Sequence, residues 1–158
     1  MDDEGWGRFE WHILRRMLYG VDIDLKAVCI ACQTFALSAL KYLKQGERFP
    51  SFFNLNLKLG NALISPVTPS DRGMLAENHG AKIARLIQLR REAMTLPNTE
   101  KAYERLAVLL KEIDTVKGPI VYALVQEHIA PVLQEFTEDL RPFCWELEFP
   151  EVFFTEEG

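Results

Sequence analysis

No run of this sequence is apolar enough, over enough residues, to cross a bilayer. Its start, Met1-Asp2-Asp3-Glu4, is acidic where an export signal carries positive charge. Cysteine is scarce too. Cys29, Cys32 and Cys144 are too few for a disulfide framework and odd in number, which fits a reducing compartment; the expected location is cytoplasmic, with no membrane partner. Nor is there a basic excess. Eighteen Lys and Arg against 23 Asp and Glu give a net charge of −5, so the chain as a whole does not grip nucleic acid through phosphate contacts. No internal repeat or low-complexity tract occurs. His12, His79 and His128 are scattered without ligand spacing, and no metal site is assigned to them. Cys29 and Cys32 have a Cys-x-x-Cys spacing, but no second pair accompanies them and they fall in an apolar helix. Buried packing is the expected role of that pair.

What is present is an ordinary globular composition, 48% hydrophobic and 26% charged, over 158 residues, enough for one domain with a core. Residues 1–11 show no clean period and read as an irregular lead-in, with Ile13–Arg16 closing a helix. Met17–Ile23 reads as a short, fully buried strand of the parallel type. Asp24 is placed to cap the following helix, whose stripe is Val28, Ala31, Phe35, Ala39 and Tyr42, widened by Leu40 and Leu43; Gly46 is its expected stop. From Asn54 the pattern alternates: Leu55, Leu57 and Leu59 on one side, Asn54, Asn56 and Lys58 on a wetter side, ending at Gly60-Asn61.

From about Met74 to Leu140 the periodicity predicts three helices. Ile83, Leu86, Ile87 and Met94 mark the first. Asn98 caps a second with Leu106, Leu109, Leu110, Ile113 and Val116, and Gly118-Pro119 ends it. The third carries Val121, Leu124, Val125, Ile129, Val132, Leu133, Phe136 and Leu140, with Pro131 expected to kink or shorten it. Arg85, Arg90 and Arg91 form a small basic face, read as solvated ahead of a DNA contact. The tail from Arg141 to Phe154 is aromatic and extended by composition, its aromatics serving as core filler.

Three of these segments resemble the adenine-specific (N6) DNA methyltransferases of the large restriction–modification (type IIG-like) family. Leu18–Asp24 with its helix is similar to that family's second conserved motif. Lys58-Leu59-Gly60-Asn61-Ala62-Leu63-Ile64 is similar to the third. Trp145-Glu146-Leu147-Glu148-Phe149-Pro150-Glu151-Val152-Phe153 resembles the aromatic–acidic segment ahead of the catalytic strand.

The resemblance implies an α/β fold that is mostly helical overall: a partial Rossmann-like methyltransferase sheet of two parallel strands within residues 1–66, a large helical insertion over 67–142, and an aromatic lead-in over 143–158. It implies S-adenosylmethionine as cofactor, with Asp22 on the ribose hydroxyls, Ile23 against the adenine ring, Asn61 on the adenine edge, and Gly60 letting the backbone pass close to the ligand. The implied partner is DNA, through a complete enzyme. No catalytic residue is assigned: the family's glycine-rich turn has no counterpart in residues 1–16, and no Asn-Pro-Pro-Tyr occurs. The chain therefore reads as a central fragment, inactive alone, whose exposed sheet edge takes the missing parts or a second copy.

Blander readings stand beside these. Asp22 can be a strand-end acid held by a nearby amide, and Asn61 a turn residue after Gly60. Two rivals also remain: a mainly helical interaction module using the 74–140 stripes, and part of a nicotinamide-dependent oxidoreductase, against which the absence of Gly-x-Gly-x-x-Gly weighs.

Overall fold

A computed structural model describes residues 3–132 and 140–154, with side chains from residue 9 onward. The described chain is mostly helical, with one small two-stranded parallel sheet. No helix among the described residues is long and apolar enough to cross a membrane.

Helix α1, Asp3–Arg16, closes over Ile13–Arg16 as expected but begins within residues 1–11, which were expected to be irregular. Tertiary packing explains the difference, since Trp11 lies 6.2 Å from Tyr42, Leu14 packs on a buried cluster, and Arg15 Nη1 donates to the Leu96 carbonyl at 3.0 Å. Strand β1 is confined to Gly20–Asp22 and is followed by α2, Leu25–Ala39. Asp24 caps α2 as its residue type predicts: its side chain accepts from the Lys26 amide at 2.8 Å. The predicted inner stripe holds, with Val28 and Ala39 buried and Ala31 and Phe35 packed near Phe52 and Leu57. Gly46 does not stop this helix. The helix tightens into a 3-10 turn at Leu40–Tyr42, and Gly46 instead supplies φ +87° to the turn closed by Glu47 N–H and the Lys44 carbonyl. Cys29 is exposed and Cys32 half-buried, so the expected buried pair is not formed.

Strand β2, Leu57–Leu59, pairs parallel with β1, Gly20 facing Leu57, Val21 facing Lys58 and Asp22 facing Leu59. The two strands are shorter than expected, and β1 is not fully buried: Asp22 is exposed, as are the flanking Met17, Leu18 and Ile23, and among the described residues only one side of β1 is paired. Residues 54–56 belong to a tight turn in which the Phe52 carbonyl accepts from the amides of Leu55, Asn56 and Leu57, with Asn54 at φ +60°. The wetter face is also absent. Asn56 and Lys58 are only 2% and 5% exposed, because each has buried partners. Asn56 Nδ2 donates to the Arg15 and Leu18 carbonyls, both at 3.0 Å, and Lys58 meets Glu148.

Helices α3, Arg72–Thr95, and α4, Glu100–Leu124, form the antiparallel hairpin that carries the larger core. The predicted stripes Ile83, Leu86, Ile87, Leu106, Leu109 and Ile113 bury one another there, joined by Leu55, Val67, Cys144 and Leu147. Thr99 stands at the N-cap position of α4 without a side-chain capping bond; Asn98, the expected cap, is buried, and its carbonyl accepts from Arg48 N–H at 2.9 Å.

Gly118-Pro119 does not end α4. Proline's φ suits a helix, and Gly118 has no Cβ to meet its ring, so the helix runs through at the loss of one hydrogen bond. It gives way at a π turn, Val125–Ile129, closed by Ala130 N–H to the Val125 carbonyl, just ahead of Pro131. Leu133 and Phe136 of the expected third helix lie outside the described residues.

The tail is helical where an extended segment was expected. Two short helices, α5 (Trp145–Glu148) and α6 (Pro150–Phe153), pack against α3 with Phe143, Leu147 and Phe149 buried. Arg90 is fully buried against this tail, not on a solvated basic face.

Candidate functional site at the carboxyl ends of the strands

The parallel register brings the ends of β1 and β2 together. Gly60 N–H donates to the Asp22 carbonyl at 2.9 Å, so Asp22 and Asn61 leave neighbouring strands at the same edge of the sheet. Asp22 is exposed. Its Oδ1 accepts from the Asp24 amide at 2.8 Å, which fixes the turn into α2; among the described residues Oδ2 has no partner. Ile23, beside it, is an exposed apolar side chain at the same edge.

Asn61 is held more tightly. Its backbone amide donates to the Arg141 carbonyl at 2.7 Å, and its Oδ1 accepts from Leu63 N–H at 3.1 Å. Among the described residues its Nδ2 has no partner. Gly60 is explained by its neighbour: a Cβ there would stand 2.5 Å from Phe143 Cδ2, so the ring occupies the space that a side chain would need. Cavities of about 210, 100, 340 and 230 Å³ open elsewhere on the molecule, and none of their walls includes Asp22, Ile23, Gly60 or Asn61. Asp22 and Ile23 are exposed here, and Asn61 is half-buried.

The tail is pinned by three glutamates of the aromatic–acidic segment, for which the sequence pattern indicates no partners. Glu146 accepts from Arg72 Nε at 2.8 Å. Glu148 accepts from Lys58 Nζ at 2.5 Å and, through both oxygens, from Lys117 Nζ at 2.7 Å. Glu151 accepts from Arg90 Nε and Nη2, each at 2.7 Å. In the sequence, glutamates 146, 148 and 151 are interleaved with apolar residues, of which Leu147 and Phe149 are buried.

Burial alone would raise the Glu148 carboxyl, but the two ammonium groups outweigh it and hold it at about 2. The same burial pulls Lys58 down against the attraction of Glu148. With Lys117 on both oxygens, the geometry favours the ionised cluster at neutral pH. Tyr19, packed 4.9 Å from the Phe149 ring, is pushed up to about 12 by burial and by Glu151.

The sequence-predicted site residues are thus brought together at one edge, while the tail that supports them was not anticipated as their scaffold. No protein-family model, curated protein or solved structure matches this chain.

Proposed function

We propose that this chain forms the adenosine-binding portion of an S-adenosylmethionine-dependent, adenine-specific DNA methyltransferase of the restriction–modification kind, on a partial Rossmann-like sheet. The observation that carries the reading is the parallel register of β1 and β2, which sets a carboxylate and a carboxamide on adjacent strand ends. In open parallel sheets, ligands bind outside the carboxyl ends of the strands, where an acid after the second strand accepts from the ribose.

The groups present fit an adenosine. Asp22 keeps one oxygen without a described partner for the ribose hydroxyls, Ile23 offers an apolar surface for one face of the base, and Asn61 has a donor and a spare lone pair for its edge. S-adenosylmethionine, when bound, supplies the methyl group; these residues bind and orient its nucleoside. Gly60 contributes through packing, since its lack of a side chain lets the Phe143 ring lie against it. DNA contacts and base extrusion are not assigned to any residue here.

A second reading is supported by the apolar surface of the first forty residues. Met17, Leu18, Ile23, Leu25, Ile30, Leu37 and Leu40 are all exposed, a run of apolar side chains of the kind a protein contact would cover. This face is compatible with the methyltransferase reading, and it is also what an interaction module without catalysis would present.

The test is a nitrogen-15 NMR titration of the whole chain with S-adenosylmethionine and with adenosine at millimolar concentration. The expected result is saturable shifts at Asp22, Ile23 and Asn61 that Asp22→Ala removes. No response, or one confined to other residues, refutes the cofactor reading and leaves the interaction module.

A further inference from the structure

We infer that the turn carrying Asn61 and the strap beside it, residues 141–143, lock one orientation of the Asn61 carboxamide and thereby select adenine over hypoxanthine. The inference rests on the adenosine reading above and adds to it a specificity and the residues that set it.

A carboxamide can pair with either base. In one orientation Oδ1 accepts from the exocyclic amine of adenine while Nδ2 donates to the adjacent ring nitrogen. Flipped, Nδ2 donates to the carbonyl of hypoxanthine and Oδ1 accepts from its ring N–H. An amide free to turn over therefore discriminates poorly. Asn61 is not free. Leu63 N–H donates to Oδ1, and a nitrogen bearing two hydrogens cannot take that place. The oxygen keeps a second lone pair for the amine of adenine, and Nδ2 stays available for the ring nitrogen.

The lock depends on the turn holding its shape, and the strap holds it from outside. Asn61 N–H donates to the Arg141 carbonyl at 2.7 Å, and Phe143 N–H to the Ile64 carbonyl at 2.8 Å, so residues 141–143 lie along 61–64. Ile64 N–H closes the turn on the Asn61 carbonyl at 3.2 Å, and Trp145 Nε1 donates to the Ala62 carbonyl at 3.3 Å. Leu63 is 94% exposed, so side-chain burial does not shape the turn at its tip. Arg141 holds φ +42°, a left-handed conformation that costs a non-glycine residue energy and persists only where surrounding contacts enforce it. Phe143 is the central positioning residue: it is buried between Trp145 and Phe149, with its ring against Gly60.

The experiment compares adenosine with inosine on the full chain, reading the Asn61 side-chain and backbone amide signals by NMR. The wild type is expected to prefer adenosine by about tenfold, the scale of one bidentate amide–base pair. Gly60→Ala drives a methyl into the Phe143 ring and is expected to bring that preference close to one, with faster hydrogen exchange at Asn61. If Gly60→Ala does not fold, Phe143→Leu loosens the same contact without a clash and is expected to lower the preference about threefold, on the same hydrogen-bond scale. A wild type that binds both nucleosides equally overturns the inference. So does a preference that survives both substitutions while thermal stability falls, since the strap is then structural only. Absence of any nucleoside response in the wild type removes the cofactor reading, and this inference with it.

Discussion

Arg90 donates through Nε and Nη2 to both oxygens of Glu151, each at 2.7 Å, and its Nη2 also reaches the Leu55 carbonyl at 3.0 Å. The arginine is fully buried. This one side chain ties α3 to α6 and to the turn that leads into β2. Removing a single partner leaves a charge in the interior, which costs far more than losing the pair as a whole. Glu151→Ala is therefore expected to lower unfolding free energy by about 3–5 kcal/mol in urea titration. Arg90→Met with Glu151→Leu, which removes both charges, is expected to recover most of it. Equal losses in the single and double variants would show that the pairing is not what matters.

The Glu148 cluster makes stability depend on acid. Its folded value of about 2 lies below the ordinary carboxylate value, so the unfolded chain binds the proton more readily. The contribution is complete above pH 4.5 and is lost as the pH falls toward 2. Melting temperature against pH should decline steeply in that window for the wild type and less so for Glu148→Gln, which starts lower at pH 7. Parallel curves would mean that Lys58 and Lys117 do not govern this group.

Strand ends and helix stripes were legible because local rules decide them. Alternation around Leu57 and Leu59, the acid at Asp22 and the cap at Asp24 each follow from the spacing of neighbours in sequence. Lys58, Asn56 and Arg90 depart from their pattern for the opposite reason. A polar side chain is placed outside by pattern, yet it can be buried when a partner far along the chain satisfies it. Glu148 stands 90 residues from Lys58, and Glu151 stands 61 from Arg90. The prolines and aromatics of the tail disfavour long helices, and its composition alone therefore points to an extended chain. Two four-residue helices hinged at Phe149-Pro150 satisfy the same composition. For the site, residue identity marked Asp22 and Asn61, but nothing local showed that residues 141–143 would lie against Asn61.

Cysteine chemistry separates the three thiols. Cys29 is exposed, whereas Cys144 is buried and burial pushes its thiol up to about 12. In the folded chain at pH 8, a maleimide should label Cys29 rapidly and Cys144 only after denaturant is added. Cys32, half-buried and also raised by burial, should react at an intermediate rate. Mass spectrometry of the labelled peptides reads the order, and rapid labelling of Cys144 would show that α5 opens readily.

The sheet edge gives the last expectation. Gly20 N–H donates to the Asn56 carbonyl and Gly60 N–H to the Asp22 carbonyl, so alternate residues of β1 turn inward and Val21 turns its amide to the unpaired side. A three-residue parallel pair is marginal by itself, while Leu86, Ile87 and Leu109 lie in the helical core with no exposed surface. Opening is drawn from the least-packed regions first. Val21 should therefore exchange its amide hydrogen long before Leu86, Ile87 or Leu109, and denaturant should expose β1 while the α3–α4 hairpin persists. Protection of Val21 equal to that of the helical core would mean that a second copy or another polypeptide already covers this edge in solution. Dilution would then distinguish the two: an edge covered by a second copy loses its protection as the concentration falls, with Met17, Leu18 and Ile23 exposed together.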